Sequence, residues 1–468
     1  MRYGHVLAAL WLGLSSAAAA ETDPPLAPLP RNLIEAGVLA APDQIPLDLE
    51  TALQCTLSSN PDLVALRQSI CVSWAAVAVA RKFPMSLNPT VSVDVRPWTF
   101  ERDTGAGARR LDTLISVSWM QPIDLGHRKV HRSAIAQAAY TETQWSVLQA
   151  ELLALVQTYR LHQTATYRRE KLRVAQQLAE FNVHLLEVVR RQVEAAQLSG
   201  ADLVLAEVEN QSMVQRLQTA QQEYLDALTE LRKQIGLPQY AGSAVPAGEL
   251  KLPDGVRPAD EEHLAEIALA SHPEINAARA RVAASHAAWR LARAERIPVP
   301  SLGPVYESDE SGTTFYGLAV STPVPVLNSG RTLVYQQEME HRRDLVALEQ
   351  VRVRTIARVT ASLVKWNQTK DLVAKVYAST EAIQGEAKKM ERLYSAGQTD
   401  LLKLLQVRQR LIEAENARLD LAWQATQAYA DVLAAVGAAP LLASAPPSAW
   451  YSTRASKSAG PSSTAASR

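Results

Sequence analysis

Phenylalanine is nearly missing from this chain of 468 residues, which holds only four. A thick globular core leans on bulky side chains, so a chain whose apolar residues are mostly Ala, Leu and Val is suited to long helices meeting in narrow seams. Cysteine is as scarce: Cys55 and Cys71 are the two, on either side of Asn60-Pro61. That number excludes a disulfide-stapled scaffold and leaves no zinc-type Cys/His spacing. A bridge between them would need the flanking helices to fold back until the Cα atoms lie within ~7 Å, so two unpaired thiols are the expectation. An excess of either sign of charge is lacking too, with 48 basic and 48 acidic residues, and nothing draws the chain toward nucleic acid. No phosphate-cradling glycine loop, dinucleotide fingerprint or nucleophile–base set is present, so neither an enzyme nor a cofactor is expected. His127 and His131 stand four apart, but no second pair or acidic set completes a metal shell. Past the N-terminus no uninterrupted apolar run reaches the ~18 residues of a membrane helix. This excludes nothing about a β-barrel, whose strands carry a weaker signal.

What is present begins with a leader pattern. Arg2, an apolar run from Val6 to Leu14 and Ala18-Ala19-Ala20 read as a secretory signal over residues 1–20. No Cys follows the expected cleavage site, so a lipoprotein anchor is not expected. Residues 21–46 read as an extended arm and residues 438–468, rich in Ala, Ser and Pro, as a disordered tail.

Between these the chain is one pattern written twice, as residues 47–237 and 259–437 joined by a loop at 238–258. "LETALQCTLSSNPDLVALRQSI" and "EEHLAEIALASHPEINAARARV" each give a short helix, a break at Asn60-Pro61 or His272-Pro273, and a longer helix with proline in its first turn. Prolines then end that helix. Alternating segments follow at about 90–98 and 112–121, and again at about 301–308 and 313–322. Their length suits a tilted membrane strand, and Trp98, Trp119, Tyr306, Phe315 and Tyr316 are candidates for an aromatic membrane girdle. A one-faced sheet on soluble helices would alternate in the same way.

Each strand pair leads through proline and glycine into a long helix: Pro122, Gly126 and Arg128 in "QPIDLGHR", Pro323, Gly330 and Arg331 in "PVPVLNSGR". The helical patterns run from Leu125 to about Leu198 and from Arg331 to Ala396, each on the order of 100 Å at ~1.5 Å per residue. Their apolar residues recur at spacings of three and four, a coiled-coil seam. Arg128 and Arg331 oppose the dipole of the helices they open, and pairing with lipid phosphates or plain solvation both account for them. Each helix stops near a glycine, and the chain returns through tips at about 197–203 and 395–401. Gly200 and Gly397 suit left-handed C-caps, and Asp202 and Asp400 suit the N-termini of the returning helices.

Taken together, the two-fold repeat, the Asn-Pro and His-Pro helix starts, "QPIDLGHR", "PVPVLNSGR" and the Gly–Asp–Leu tips resemble the TolC family of outer-membrane efflux channels across about 47–437. "ARAERIPVPSLG" followed by "STPVPVLNSGR" is most similar to the branch serving cobalt–zinc–cadmium-type cation efflux. The resemblance implies a mainly α fold with a membrane β-barrel: a homotrimer in the outer membrane of a Gram-negative-type bacterium. Each protomer would lend four strands to a shared twelve-stranded barrel, continued by a periplasmic coiled-coil tunnel. It implies a periplasmic adaptor and an inner-membrane pump as partners, outer-membrane lipids around the barrel, and a passive conduit for exported substrate. Heavy-metal cations are the cargo that branch would carry. Gly200, Asp202, Gly397 and Asp400 would form the periplasmic mouth and meet the adaptor, and six carboxylates from three copies would favour cations there. The rivals are a periplasmic adaptor, which ordinarily carries one hairpin between split β-rich halves, and a purely structural coiled coil.

Overall fold

A computed structural model describes residues 45–82, 84–96, 114–196, 199–236, 244–250, 261–308, 313–395, 398 and 401–437. The leader, the tail and nearly all of the arm lie outside the described residues, as do Trp98, Gly397 and Asp400.

The first repeat contains β1 (Ile45–Leu47), α1 (Leu49–Ser59), α2 (Pro61–Arg81), β2 (Thr90–Arg96), β3 (Leu114–Pro122), α3 (Arg128–Glu194) and α4 (Gly200–Ile235). After β4 (Ala244–Pro246) the second contains α5 (Glu261–Ser271), α6 (Pro273–Glu295), β5 (Ser301–Ser308), β6 (Thr314–Ser321), α7 (Arg331–Ser395) and α8 (Leu401–Val436). The inter-repeat segment expected as plain loop thus holds a strand, which pairs in parallel with β1. Arg169 of α3 holds that small sheet by donating to the carbonyls of Pro246 and Gly248.

The two halves solve the same local problem alike. Asn60 caps α2 by accepting from the Leu63 N–H at 3.0 Å, and His272 caps α6 by accepting from the Glu274 N–H through Nδ1 at 3.2 Å. With Pro61 or Pro273 supplying no N–H of its own, each start leaves one orphan donor fewer. Six residues on, Arg67 and Arg279 reach back to the carbonyls of Leu57 and Leu269. The returning helices end on these breaks at left-handed Gly236 (φ 78°) and Gly437 (φ 76°). A side chain there would strike the Ser59 carbonyl in one half and the His272 ring in the other. Asn60 Nδ2 seals the first joint by donating to the Gln234 carbonyl at 2.7 Å. In this way α2 continues the line of α4 and α6 that of α8, and the short helices complete the columns beside α3 and α7.

Helix α3 has 67 residues and α7 has 65, each about 100 Å at ~1.5 Å per residue. Helix α3 lies three or four residues inside its periodic pattern at each end, whereas α7 starts on Arg331 as expected and runs to Ser395, next to the expected Ala396. The repeats are sewn into one body through α3, which packs on both α6 and α8. Leu152, Val156 and Tyr159 bury against Ala430 and Leu433. Tyr167 stacks on Trp423 at 5.3 Å, and Trp423 Nε1 donates to Thr164.

Helix α2 departs from the expectation that no helix is apolar enough to cross a membrane: its best window reaches a mean hydropathy of 1.7. Arg67-Gln68-Ser69 and Ser73 interrupt its apolar stretch, so no unbroken run marks it in the sequence. Val72 and Val79, which share one face, remain exposed while the opposite side of α2 packs on α3. Cys55 and Cys71 are unpaired.

Candidate functional site at the two ends of the molecule

At one end β2, β3, β5 and β6 form a single antiparallel sheet in the order β2-β3-β5-β6. The register determines which side chains share a face, because successive residues alternate. Val91 faces Trp119, Val93 faces Val117 and Val95 faces Ile115. Val117 continues to Tyr306 and on to Tyr316, while Leu302 faces Val320 and Pro304 faces Leu318. One face is therefore Val, Ile, Trp, Leu and Tyr almost throughout. The other carries Ser92, Asp94, Arg96, Ser116, Ser118, Glu307, Gly317 and Ala319. The apolar face is bare: Tyr316 is 83 % exposed, Leu318 77 % and Val320 71 %.

Trp119, Tyr306 and Tyr316 stand on that apolar face, the two tyrosine rings 5.4 Å apart. Phe315 does not. It pairs with Glu307, itself opposite Ser116, so the girdle expected to include it must be corrected: Phe315 belongs to the polar face. Its neighbour Tyr316 misled the reading, since only one of two adjacent aromatics can face the same way.

Below the sheet, Pro122 closes β3, and Gly126 lies so near α6 that a Cβ would come within 2.7 Å of the Ala294 carbonyl. Arg128 donates to the carbonyls of Glu295 at 3.2 Å and Ile297 at 2.6 Å. This explains a cation at the wrong end of α3: it serves the C-terminal end of α6, where orphan carbonyls and the negative pole welcome it. Pairing with lipid phosphate is therefore corrected for Arg128. In the second transition Pro323 follows β6, Gly330 is left-handed (φ 69°), and Arg331 opens α7 exposed. Arg296 reaches from the end of α6 to the Ser329 carbonyl at 3.2 Å, so the end of α6 ties both transitions together.

At the far end α3 turns into α4 through Ala195, Ala196 and Ser199. The left-handed residue is Ala196 (φ 55°); Gly200 is the first residue of α4, so the expected glycine C-cap is corrected. The N-cap is Ser199, and Asp202 completes a capping box, its carboxylate accepting from the Ser199 N–H at 3.0 Å and hydroxyl at 2.7 Å. The pattern Ser199-x-x-Asp202 was readable, but the glycine inside it drew the cap assignment away.

Above this tip the two hairpins pack on each other. Leu185, Val189 and Ala206 of the first enclose Leu404 of the second. Tyr394 donates its hydroxyl to Gln192 Oε1 at 3.2 Å. Arg408 pairs with Glu391 and lies 4.0 Å from the centre of the Phe181 ring, where burial pulls its pKa down. A groove of about 530 Å³ opens there, lined by Phe181, His184, Val188, Lys388, Arg392 and Tyr394. Sequence reading missed this groove, since nothing in one hairpin announces which face the other covers. Among the described residues no group of three or more His, Cys, Asp and Glu could hold a metal ion.

With both ends described, the comparisons with known proteins become informative. The family model described as "Outer membrane efflux protein" matches residues 264–438. The pyoverdine export outer membrane protein OpmQ of Pseudomonas putida is 28% identical over 284 residues, 58% of this chain and 58% of that protein. Its Pseudomonas aeruginosa namesake is 24% identical, over 67% of this chain and 66% of its own length. The matched stretches thus span less than two thirds of either relative. Among solved structures, CusC covers 85% of this chain and 94% of its own at 18% identity, with a TM-score of 0.65. The outer-membrane channel OprN covers 83% and 89% at 16% identity, with a TM-score of 0.67. The fold is therefore that of the TolC-like outer-membrane channels.

Proposed function

We propose that the chain is the outer-membrane channel of a tripartite efflux system, passively conducting what an inner-membrane pump delivers through a periplasmic adaptor. One observation carries this reading: a four-stranded sheet with one bare apolar face and, among the described residues, no partner for the outer edge of β2 or of β6. Open strand edges are not viable in lipid, and four strands cannot close a barrel. Three copies joined β6 to β2 give twelve strands, the apolar faces outward and the Ser- and Gly-rich faces around a lumen. The helices then hang into the periplasm as a tunnel. The exposed apolar flank of α2 is covered in this assembly by the neighbouring copy.

The adaptor meets the hairpin tips around Gly200, Asp202, Gly397 and Asp400, and the groove beside Phe181 and Tyr394 offers it an apolar seat. Asp202 and Asp400 of three copies ring the mouth, while Asp202 also completes the capping box of its helix. Asp202→Asn with Asp400→Asn removes the charge and keeps much of the capping; unchanged cation preference of single channels in planar bilayers rules out the ring. Arg331, exposed just below the sheet, meets lipid phosphates at the inner leaflet.

The cargo follows the pump. The curated relatives are named for pyoverdine export, so the cobalt–zinc–cadmium branch suggested by the motif resemblance lacks support from them. Deleting the gene and scoring both siderophore secretion and tolerance of Zn²⁺, Co²⁺ and Cd²⁺ separates the two. For the channel itself, the detergent-extracted protein from fractionated membranes should have the mass of a trimer and come from the outer membrane. A soluble periplasmic monomer would overturn the reading in favour of an adaptor.

A further inference from the structure

We propose, resting on the three-copy closure above, that the α7 edge of one copy docks on the α2 edge of the next by repeating the fit of α3 on α6 inside the chain. Arg331 meets the last carbonyls of the neighbour's α2, and Leu327 fills the apolar groove beside them. The order of elements supplies the two edges. Under the strands β2-β3-β5-β6, helix α2 packs on α3, α3 on α6 and α6 on α7. Each helix is joined to the strand above it: α2 leads into β2, β3 into α3, α6 into β5 and β6 into α7. A closure that joins β6 to β2 therefore brings α7 of one copy beside α2 of the next.

Duplication determines how they meet. Helices α2 and α6 are the same element in the two repeats, each starting on a capped proline and carrying, six residues on, the arginine that reaches back across the break. Helices α3 and α7 are likewise the same element, opening on Arg128 and Arg331. The contact of α3 with α6 is thus an internal copy of the contact between chains. There Arg128 uses one terminal nitrogen, Nη2, to donate to the Glu295 and Ile297 carbonyls at the end of α6. The corresponding end in the neighbour is that of α2, which stops at Arg81, and the last carbonyls of a helix have no partner within it. Arg81 and Lys82 stand there as Arg293 and Arg296 stand at the end of α6, and Arg128 makes its contacts beside such cations. Arg331 is exposed and at the matching place. One nitrogen suffices for the carbonyls, so the rest of its guanidinium stays turned to lipid phosphate.

The two copies of the contact differ in one respect. From Pro323 to Arg331 the chain takes eight steps, against six from Pro122 to Arg128. The longer passage carries Val326, 80 % exposed, and Leu327, wholly exposed. It is a shaped projection: the Val326 N–H donates to the Val324 carbonyl at 2.8 Å, and Asn328 Oδ1 accepts from the Gly330 N–H at 2.9 Å. At the opposite edge, beside the end of α2, lies a groove of about 550 Å³ lined by Ala76, Val79, Ala80, Pro84, Ile135 and Ala136. Projection and groove are both apolar and both lie next to the sheet, one after the last residue of β6 and the other before the first of β2. Closure of the strands brings them to the same seam, where burying both removes apolar surface from water.

The test uses the full chain in outer-membrane fractions, with Cys55→Ser and Cys71→Ser as background. Leu327→Cys together with Ala80→Cys, bridged by a short thiol-reactive linker, should give covalent trimers, and either cysteine alone should give none. A second pair of cysteines on the β2 and β6 edges reports on strand closure in parallel. Trimers from the strand edges without trimers from the Leu327–Ala80 pair would overturn the docking and leave the channel reading standing; a groove filled by lipid chains gives that result. Trimers from neither pair would overturn both. In lipid-free maltoside, Arg331→Ala should hasten dissociation of the trimer about tenfold, the worth of one hydrogen bond to a charged group, and Arg331→Lys should recover part of the loss. Dissociation of Arg331→Ala at the wild-type rate there would assign the arginine to lipid alone and sink its place in the docking.

Discussion

At the residue scale, one position separates the repeats chemically: where the first joint has Asn60, the second has His272. His272 is buried and must keep Nδ1 unprotonated to accept from Glu274 while Nε2 faces the Ala434 carbonyl at 3.4 Å. Burial, reinforced by Arg358, pulls its pKa down against the opposing Ala434 carbonyl and Glu274. His162, 3 % exposed, is shifted the same way, chiefly by burial. A histidine whose folded pKa is depressed stabilises fully above its unfolded pKa of about 6.5 and loses that contribution as pH falls through the folded value. Melting temperature should therefore fall between pH 7 and pH 5, and His272→Asn, which copies the first repeat, should flatten part of that slope. An identical slope in the variant would remove His272 from the acid response. At the tip, Ser199→Ala should cost about 1 kcal/mol of local stability, seen as faster hydrogen exchange across the start of α4 with the remote ends of α3 unchanged. These roles were only half legible. The His-Pro and Ser-x-x-Asp patterns stand in the sequence, but burial, which turns His272 into a sensor, is a property of the partner helix.

Elements, by contrast, were largely legible, because periodicity of two and of three to four is written locally. The four strands and the two helices of about 100 Å follow from alternation, proline and glycine. What local pattern could not supply was register and partner. Phe315 went to the wrong face for that reason, and Arg128 was left between lipid phosphate and plain solvation, with its partner on α6 unforeseen. Two substitutions test the elements. Gly303 of β5 sits where any side chain would collide with the Trp119 carbonyl of β3. Gly303→Val should split the sheet between the repeats, and heat-modifiable oligomer should vanish from outer-membrane fractions. Arg128→Ala should lose two carbonyl contacts at the end of α6, about 1–3 kcal/mol, and lower the melting temperature while leaving the oligomer intact. Arg128→Glu should do worse, placing an anion against orphan carbonyls.

For the whole molecule, duplication explains why so much function was readable from motifs whose individual information is slight: each appears twice, in the same order and at the same spacing. The three-copy closure rests on β2 and β6 meeting between protomers, and cross-linking cysteines placed on those two edges should yield covalent trimers and no larger species. The β3–β5 pairing has a further consequence. It joins the repeats within the sheet, while α3 binds α6 and α8 along the shaft. The two halves thus hold each other by surface, so covalent continuity between Leu250 and Glu261 is not what keeps them together. Two separately translated polypeptides, cut there so that β4 stays with β1, should find one another during export and assemble as six chains in place of three.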